Sequence, residues 1–461
     1  MRILFAHKNF PAQFGAFGEW LAAEGWEVAF LTQREGAASA AMRVVVSPPD
    51  HRAPAEGVHR YVRPLESAVL TAQAFARAAV DLDRAGFRPD VVMAHAGWGV
   101  GTFLKDVWPA TCAVPYFEWY YNWPYPDRTP WDTPPADPLE ARARNRVRNA
   151  PIWADFSTAT RALCPTRFQA AQFPEWMRDR LTVMHDGVDT DLHAPAAPGE
   201  GRGILARWGV PEDAEVVTSI TRGMEPHRGF PETMRALALL QKRRPRLHAL
   251  IGGEDRVAYG AQLPAGESWK GRMLAELAAG SGSESGLDLS RVHFTGLMSR
   301  PDMVAVMRAS DAHVYLTVPF VLSWSLLDAM ACGCLLVAGD TGPVREFVED
   351  GVTGLLVPQA QAQLGPPGIG QGSAVADPGA LAARIEAALD GRGGTAMARI
   401  RARARARIVE ALDARRVIWP RKRAWLEAAV AGDGPRPRSG GTPGKAGDKP
   451  RPPGGGRRRS R

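Results

Sequence analysis

Short apolar segments with the pattern of strands alternate with amphipathic segments with the pattern of helices along most of this chain. In the first half, strands are predicted at residues 2–6, 27–32 and 90–95, and helices between them at 14–25 and 66–86. The second half repeats the alternation, with strands predicted at 215–221, 246–253, 291–296, 311–317 and 334–339. Continuous apolar strands joined by helices are typical of parallel sheets that helices cover on both faces. The sequence therefore predicts an α/β protein with two doubly wound domains.

The length of the chain agrees with two domains, because 461 residues are too many for one hydrophobic core. The apolar periodicity stops at residues 185–203, where Gly, Pro and Ala dominate. We expect an N-terminal domain, a C-terminal domain, a C-terminal helix and a tail, at residues 1–190, 191–412, 413–432 and 433–461 respectively.

The formal net charge of +8 lies almost wholly at the C-terminal end. Residues 433–461 carry nine Lys or Arg and two Asp, a net charge of +7, which leaves +1 for residues 1–432. This Gly/Pro-rich segment has too few apolar residues to form a core, so a disordered basic tail is predicted. It is either an inert solvated tail or a peripheral contact with anionic membrane. No specific nucleic-acid partner is predicted.

Cysteine usage and hydropathy predict a cytoplasmic protein. The four cysteines form no CxxC pair, and no run of 18 apolar residues occurs. The N-terminal apolar stretch is too short for a signal peptide. A peripheral membrane contact through the tail stays open beside this location.

In open parallel sheets, ligands bind beyond the carboxyl ends of the strands. Residues 7–15 follow the first predicted strand and lead into a helix whose free N–H groups suit a phosphate, which makes Gly15 a candidate donor-binding residue. No GxGxxG occurs, so no dinucleotide cofactor is predicted. His95 ends a strand beside Gly97, and its imidazole either orients a substrate hydroxyl or has a structural role.

The second half supplies a further group of candidates. Arg222 and Arg228 flank a Gly-Pro turn and form either a diphosphate clamp or ordinary surface arginines. Ser323 is predicted to cap a helix that carries Asp328 among apolar neighbours. That carboxylate is predicted to accept hydrogen bonds from a ribose diol, the alternative being a helix-surface aspartate. Glu346, in the turn that follows the last predicted strand, completes the donor-binding set.

The segment WYYNWPYPDRTPWDTPP at 119–135 is too aromatic for a solvated loop. It either packs on its domain or lines an acceptor surface, since clusters of Trp and Tyr are common where sugars or hydrophobic acceptors stack. A second insert, rich in Gly and Gln, interrupts the pattern around 359–374.

Several segments resemble retaining family 4 glycosyltransferases. SLLDAMACGCLLVAGDTGPVREFVEDGVTGLLV (325–357) is similar to the donor-site signature of that family, and HDGVD (185–189) to its domain junction. ITRGMEPHRGF (220–230) resembles the segment that supplies its basic pair. Residues 1–32 and 95–109 resemble the N-terminal domain of a bacterial subgroup with an NFPAQF-type N-terminus. The resemblance implies a GT-B fold, in which two Rossmann-like domains face each other across a cleft.

The chain departs from the family pattern at three places. The family signature is a glutamate, seven residues and a second glutamate, whereas this chain has Phe320 at the first position and Asp328 at the second. Arg228 stands where a lysine is usual. Residues 9–13 replace a glycine-rich loop.

The resemblance implies a hexosyltransferase-type enzyme that is retaining and metal-independent. It implies a sugar nucleotide bound by the C-terminal domain and a glycan or lipid-linked acceptor bound by the N-terminal domain. His95, Arg222 and Arg228 are the expected catalytic residues, and no metal ligands are predicted. A catalytically silent nucleotide-sugar-binding protein, a sugar-nucleotide epimerase or phosphorylase of the same fold, and a tail-driven polyanion-binding protein are the alternatives. The donor base, the sugar and the acceptor are not specified by the sequence.

Overall fold

The computed structural model describes residues 1–48, 57–133, 135–197, 200, 202–278, 286–359 and 376–432. The predicted tail and almost all of the Gly/Gln-rich insert lie outside these residues. Within them the chain forms two sheets in which every pairing between named strands is parallel.

The first sheet has seven strands in the order β3-β2-β1-β4-β5-β6-β7. Its strands are Arg2–Ala6 (β1), Glu27–Thr32 (β2), Arg43–Val46 (β3), Val91–His95 (β4), Cys112–Tyr116 (β5), Ala162–Cys164 (β6) and Leu181–Val183 (β7). Because the strand order reverses between β1 and β4, the loops after these two strands meet at a topological switch point, where open α/β sheets bind ligands.

The second sheet has six strands in the order β10-β9-β8-β11-β12-β13. Its strands are Glu215–Gly223 (β8), Leu247–Glu254 (β9), Val292–Gly296 (β10), Ala312–Tyr315 (β11), Leu336–Gly339 (β12) and Leu355–Val357 (β13). Here the order reverses between β8 and β11, which places the loops after those strands at a second switch point.

Helices join the strands of both sheets. In the first half they are Gly15–Ala23 (α1), Arg63–Arg84 (α2), Leu104–Val107 (α3), Pro138–Arg148 (α4), Ala150–Ser157 (α5), Arg167–Ala170 (α6) and Glu175–Arg178 (α7). In the second half they are Phe230–Arg243 (α8), Trp269–Ala278 (α9), Arg300–Arg308 (α10), Trp324–Ala331 (α11), Gly342–Arg345 (α12), Pro378–Asp390 (α13), Thr395–Leu412 (α14) and Trp419–Ala431 (α15).

Each sheet is buried on both faces, as the continuous apolar strands require. In β1, Ile3 and Phe5 belong to one buried cluster, whereas Leu4 and Ala6 belong to another on the opposite face. This alternation follows from the two-residue period of a strand. It explains why the strand sequence is apolar at successive positions rather than at every second one.

The C-terminal helix returns to the first sheet. Trp419 and Leu426 of α15 are buried in the same cluster as Phe5 of β1. The crossing is fixed by two backbone hydrogen bonds, from Val188 N to Leu412 O and from Ala414 N to Val188 O, both 2.8 Å. Helix α15 therefore packs on the N-terminal domain although it follows the C-terminal one in sequence.

The predicted fold class is confirmed, and the predicted strands and the helices predicted at 14–25 and 66–86 are found within three residues of their expected ends. The C-terminal helix expected at 413–432 begins as α15 at Trp419. Five strands had no counterpart in the sequence prediction: β3, β5, β6, β7 and β13. Three of these are only three residues long, which is too short for a periodic signal. β5 contains Pro115, a residue that argues against an interior strand. The predicted division at residue 190 falls between β7 and β8 and stays a prediction.

Candidate functional site

A cavity between the domains has a volume of about 630 Å³. It lies at the carboxyl ends of the strands, since its walls include the segments after β1, β7 and β11 and the end of β8. We call it the large cavity; its lining includes Pro11, Ala12, Gln13, Trp20, His185, Asp189, His193, Thr221, Arg300, Ser323, Trp324, Asp328 and Trp419. Both domains and α15 thus contribute to it.

Asp328 is a buried carboxylate in the wall of the large cavity. It lies on α11, and burial raises its pKa to about 6, although His193 and Arg300 counteract the shift. The Oδ1 atom of Asp328 lies 3.7 Å from Nδ1 of His193. A buried carboxylate beside a cavity can accept hydrogen bonds from vicinal hydroxyl groups, and it does so best when it is ionised.

The N-terminus of α11 is capped as the sequence predicts. The hydroxyl of Ser323 accepts a hydrogen bond from the Ser325 backbone N–H at 3.4 Å. The Ser323 backbone N–H in turn donates to the Tyr315 hydroxyl at 2.9 Å. These bonds hold the helix start at the edge of the large cavity, where its dipole favours negative charge.

The loop that replaces a glycine-rich segment forms the opposite wall. Ala12 has φ of 47°, a left-handed conformation that costs energy for a residue with a side chain. Gly15 opens α1, and a Cβ atom there would lie 2.3 Å from the Cβ of Pro11. Gly15 therefore permits a tight turn that brings Pro11 and Ala12 to the cavity, while its own role toward a donor stays a prediction.

A second cavity of about 470 Å³ lies nearby, also between the domains. We call it the aromatic cavity; its lining includes His95, Trp98, Glu118, Trp119, Tyr121, Asp127, Arg148, His227, Tyr259 and Phe320. The segment 317–323 separates the two cavities, since Phe320 lines the aromatic cavity and Ser323 lines the large one.

His95 is almost fully buried, at 3% exposure, at the end of β4. Its ring stacks on Trp98 with centroids 3.8 Å apart, and its Nε2 atom lies 3.4 Å from Oε2 of Glu118. Within the described residues its Nδ1 atom has no hydrogen-bond partner. The ring of His7 lies 5.1 Å away, and burial followed by repulsion from His95 lowers the pKa of His7 to about 3. His95 can thus offer one nitrogen to a ligand.

The two arginines of the predicted clamp lie in different environments. Arg222 is exposed at the end of β8, next to Thr221 in the cavity wall. Arg228 is buried, and its guanidinium donates to Oγ1 of Thr317 at 2.6 Å and to the Val321 carbonyl at 3.2 Å. Arg228 therefore fixes the segment between the cavities. The contact of either arginine with a diphosphate stays a prediction.

Glu346 lies at the domain junction. Its two carboxylate oxygens accept hydrogen bonds from the backbone N–H groups of Arg167 at 2.8 Å and Phe168 at 2.9 Å. It therefore caps the start of α6 from the other domain. This arrangement occupies both oxygens, and Glu346 is absent from the lining of both cavities. Its predicted role in donor binding stays untested.

The aromatic segment after β5 bridges the domains. Trp119 lies 4.8 Å from Phe320, and Trp131 lies 5.2 Å from Trp269, as measured between ring centroids. The Trp131 indole N–H also lies 3.5 Å from Oε1 of Glu232 on α8. The segment thus both packs and lines a cavity, so the two alternatives left open by the sequence are not exclusive.

Three features of the described residues bear on the other sequence predictions. All four cysteines are buried and free. In residues 1–432, apart from the gaps given above, no group of three His, Cys, Asp or Glu side chains is arranged to hold a metal ion. The same residues contain no helix that is both long and apolar enough to cross a membrane.

Comparison with protein families gives two matches, both to families of glycosyl transferases. Residues 24–193 match the glycosyl transferase family 4 group, and residues 215–365 match the glycosyl transferases group 1. With two facing Rossmann-like domains, the chain has the GT-B fold. The first match falls on the first sheet and the second match on the second sheet. The NFPAQF segment precedes the first match.

Curated relatives share part of the chain. The D-inositol 3-phosphate glycosyltransferase of Mycolicibacterium smegmatis is 29% identical over 180 residues, which is 39% of this chain and 37% of that protein. The protein of the same name from Kribbella flavida is 33% identical over 186 residues, 39% of each chain. The similarity therefore spans well under half the length of these relatives.

Solved structures share the fold over nearly the whole chain. Sucrose-phosphate synthase from Thermosynechococcus elongatus has a TM-score of 0.67 at 17% identity and covers 93% of this chain and 99% of its own. Anabaena Alr3699/HepE in complex with UDP and glucose has a TM-score of 0.63 at 18% identity, with 93% and 100% covered. At these identities the likeness shows the fold alone.

Sequence reasoning missed several residues that line the cavities. Glu118 follows β5, and the rule that ligands bind beyond the carboxyl ends of strands would have found it had β5 been recognised. His193 and Arg300 carry no local signal, because their positions beside Asp328 depend on contacts between distant parts of the chain.

Proposed function

We propose that this protein transfers a sugar from a nucleotide-diphosphate sugar to an acceptor hydroxyl, with retention of the anomeric configuration. The sugar nucleotide binds in the large cavity and the acceptor binds toward the aromatic cavity. The observation that carries this proposal is the buried carboxylate of Asp328 beside the capped start of α11, opposite the loop at Pro11 and Ala12. A ribose diol and a diphosphate match these two features.

The names of similar proteins support a sugar-nucleotide donor. Anabaena Alr3699/HepE was crystallised with UDP and glucose, and also with UDP-glucose. The curated relatives are named as glycosyltransferases that act on D-inositol 3-phosphate. For this chain we propose the same donor class and a glycan or lipid-linked acceptor.

The proposed reaction needs a stabilised leaving group and a positioned acceptor. Arg222 contributes a mobile exposed cation at the diphosphate, while Arg228 holds the segment at Thr317 and orients its own charge toward the leaving oxygen. The leaving diphosphate accepts the proton of the incoming hydroxyl on the same face of the sugar. His95 orients that hydroxyl through its free Nδ1 atom. Positioning and electrostatic stabilisation supply most of the rate enhancement.

The same proposal includes transfer without a metal ion and a cytoplasmic location. The arginines supply the positive charge that a divalent ion would otherwise provide, so no metal is required. The protein acts in the cytoplasm on the side where sugar nucleotides are made. Its basic C-terminal tail adds a salt-sensitive attraction to anionic membrane.

One observation favours a second candidate, which is sugar-nucleotide binding without transfer. Phe320 occupies the position of the first signature glutamate and packs against Trp119 and Tyr259 instead of offering a carboxylate. In this second candidate, the protein binds the sugar nucleotide tightly and transfers no sugar.

The experiment that separates the candidates is mass spectrometry of the purified protein with a panel of sugar nucleotides and acceptors. We expect release of a nucleoside diphosphate from one donor, together with a glycosylated acceptor of retained configuration by NMR. Tight donor binding without any transfer would establish the silent binder. If the protein binds none of the sugar nucleotides, both candidate functions are wrong.

A further inference from the structure

The aromatic cavity has the chemistry of a carbohydrate site. Phe320 lies with its ring centroid 4.8 Å from Trp119 and 5.4 Å from Tyr259, so aromatic surface from both domains meets at one wall. Rings of this kind bind the apolar C–H faces of pyranoses and polyols, and Trp and Tyr combine an apolar body with a polar tip. The volume of about 470 Å³ lies in the range of ~300–1,000 Å³ that is usual for small-molecule sites.

The charged side chains in the lining of this cavity are two acidic groups and one arginine. Glu118 and Asp127 contribute two carboxylates, and Arg148 contributes one guanidinium that lies 3.6 Å from the centroid of the Tyr121 ring. Burial lowers the pKa of His227, which favours its neutral form. Burial raises the pKa of Asp127, so this side chain is less readily ionised than a free carboxyl group. A second guanidinium, that of Arg228, lies 5.1 Å from the centroid of the Tyr259 ring and already donates to Thr317 and the Val321 carbonyl. Both cations are therefore engaged by groups of the protein.

This balance discriminates between neutral and phosphorylated ligands. A phosphate carries between one and two negative charges near pH 7 and needs several donors or cations to replace its hydration. Beside two acidic side chains, and with both nearby guanidinium groups already engaged, a phosphate would lack the free cations that it needs. Hydroxyl groups, in contrast, donate to carboxylates without that cost.

His95, which lines this cavity, also has one ring nitrogen without a hydrogen-bond partner. The Nδ1 atom of His95 has no hydrogen-bond partner among the described residues, although the side chain is 3% exposed. A buried polar atom without a hydrogen-bond partner destabilises the protein. A ligand hydroxyl can satisfy this nitrogen whether it donates or accepts, because a hydroxyl does both.

We propose that the aromatic cavity binds the acceptor as a neutral sugar or polyol with free hydroxyl groups, and that it selects against phosphorylated acceptors. The C–H face of the ligand rests on Trp119 and Phe320, and its hydroxyls donate to Asp127 and Glu118. This inference rests on the proposed function, because it assigns the acceptor class of the same transfer.

The test uses the full chain and matched pairs of acceptors that differ in one phosphate: glucose and glucose 6-phosphate, and myo-inositol and inositol 3-phosphate. Binding of UDP and of GDP is measured first by calorimetry, and acceptor binding is then measured with the bound nucleotide present. Transfer from the donor identified by the panel is followed by mass spectrometry. We expect at least one neutral member to bind about tenfold more tightly than its phosphorylated partner.

Two variants of Asp127 sharpen the result. Asp127→Asn should raise the KM for a neutral acceptor at least fivefold, and Asp127→Arg should shift the preference toward the phosphorylated partner. Neither should change the Kd of the nucleotide more than twofold, which also reports that each variant is folded. Asp81→Asn on α2 is the matched control, since this exposed aspartate pairs with Arg84 on the surface and lines neither cavity.

Each outcome has a defined consequence. The proposed acceptor class is wrong if phosphorylated acceptors bind as tightly as neutral ones or more tightly. It is also wrong if neither neutral acceptor binds to the protein with its nucleotide bound. Neither result affects the proposed function. Failure to bind UDP, GDP and every other nucleotide of the donor panel overturns the proposed function itself.

Discussion

Trp119 in the N-terminal domain meets Phe320 in the C-terminal domain edge to face, with ring centroids 4.8 Å apart and planes at 68°. The family resemblance implies a glutamate at the position of Phe320. In this chain the two aromatic rings form one wall of the aromatic cavity there instead. Because its halves come from different domains, this wall is complete only when the domains are closed. Binding of ligand in the aromatic cavity is therefore expected to be coupled to closure of the cleft.

Substitution of the two arginines should distinguish a residue that only contributes charge, Arg222, from one that also stabilises the fold, Arg228. Arg222→Ala should weaken sugar-nucleotide binding by about 1.5–3 kcal/mol and leave the Tm unchanged, because the side chain is exposed. Arg228→Ala should weaken binding and also lower the Tm, because it leaves Thr317 and the Val321 carbonyl without their donor. Calorimetry and thermal unfolding measure the two effects.

Arg246→Ala is the control for this pair, since Arg246 is an exposed arginine of the same domain that pairs only loosely, at 3.6 Å, with Asp213. If Arg222→Ala and Arg228→Ala bind the donor as tightly as the wild type, the diphosphate clamp is wrong.

Glu232, next to Trp131 at the domain bridge, should make stability depend on pH. Burial raises its pKa from 4.5 to about 7, so the native state holds a proton that the unfolded state has lost. Stability should accordingly fall as the pH rises from about 4.5 through 7, by about 1–3 kcal/mol from this group. Glu232→Gln should remove that part of the slope.

Chemical denaturation at several pH values measures this slope, and Glu212→Gln, at an exposed position, is the control. A Glu232→Gln variant with the same pH dependence as the wild type would show that Glu232 is ionised in the native state.

Transfer should persist in EDTA. The described residues hold no cluster of metal-ligating side chains, and Arg222 and Arg228 are expected to neutralise the leaving diphosphate. Initial rates with and without chelator should agree within a factor of two. Loss of transfer in EDTA with recovery on addition of Mg²⁺ or Mn²⁺ would contradict metal independence.

Asp328 should make donor binding stronger as the pH rises, whereas Glu232 should make the protein less stable as the pH rises. Its pKa is raised to about 6 by burial, and the ionised carboxylate is the better acceptor for ribose hydroxyls. Affinity for a sugar nucleotide should therefore rise as the pH increases from 5 to 7, since the diphosphate diester has no group that titrates there. Asp328→Asn should show a flat profile by calorimetry over the same range.

The sequence predicted those parts of the fold and the site whose signal is local. β1 is apolar at successive positions, and Asp328 is a lone carboxylate in an apolar helix, so both could be recognised from their neighbours. His193 and Trp131 could not be recognised in this way. His193 is placed by its contact with Asp328. Trp131 is placed by its contact with Glu232, which is 101 positions away in the sequence. The site role of Arg228 stays a prediction, and its burial was not predictable from a turn sequence.

The most direct test of the account compares a ribonucleotide with its 2′-deoxy analogue, each measured by calorimetry against the wild type and Asp328→Asn. If the carboxylate holds the ribose diol, the substitution should cost the ribonucleotide about 1.5–3 kcal/mol and the 2′-deoxy nucleotide much less. An equal loss for both ligands would show that Asp328 is structural, and the placement of the sugar nucleotide in the large cavity would have to be withdrawn.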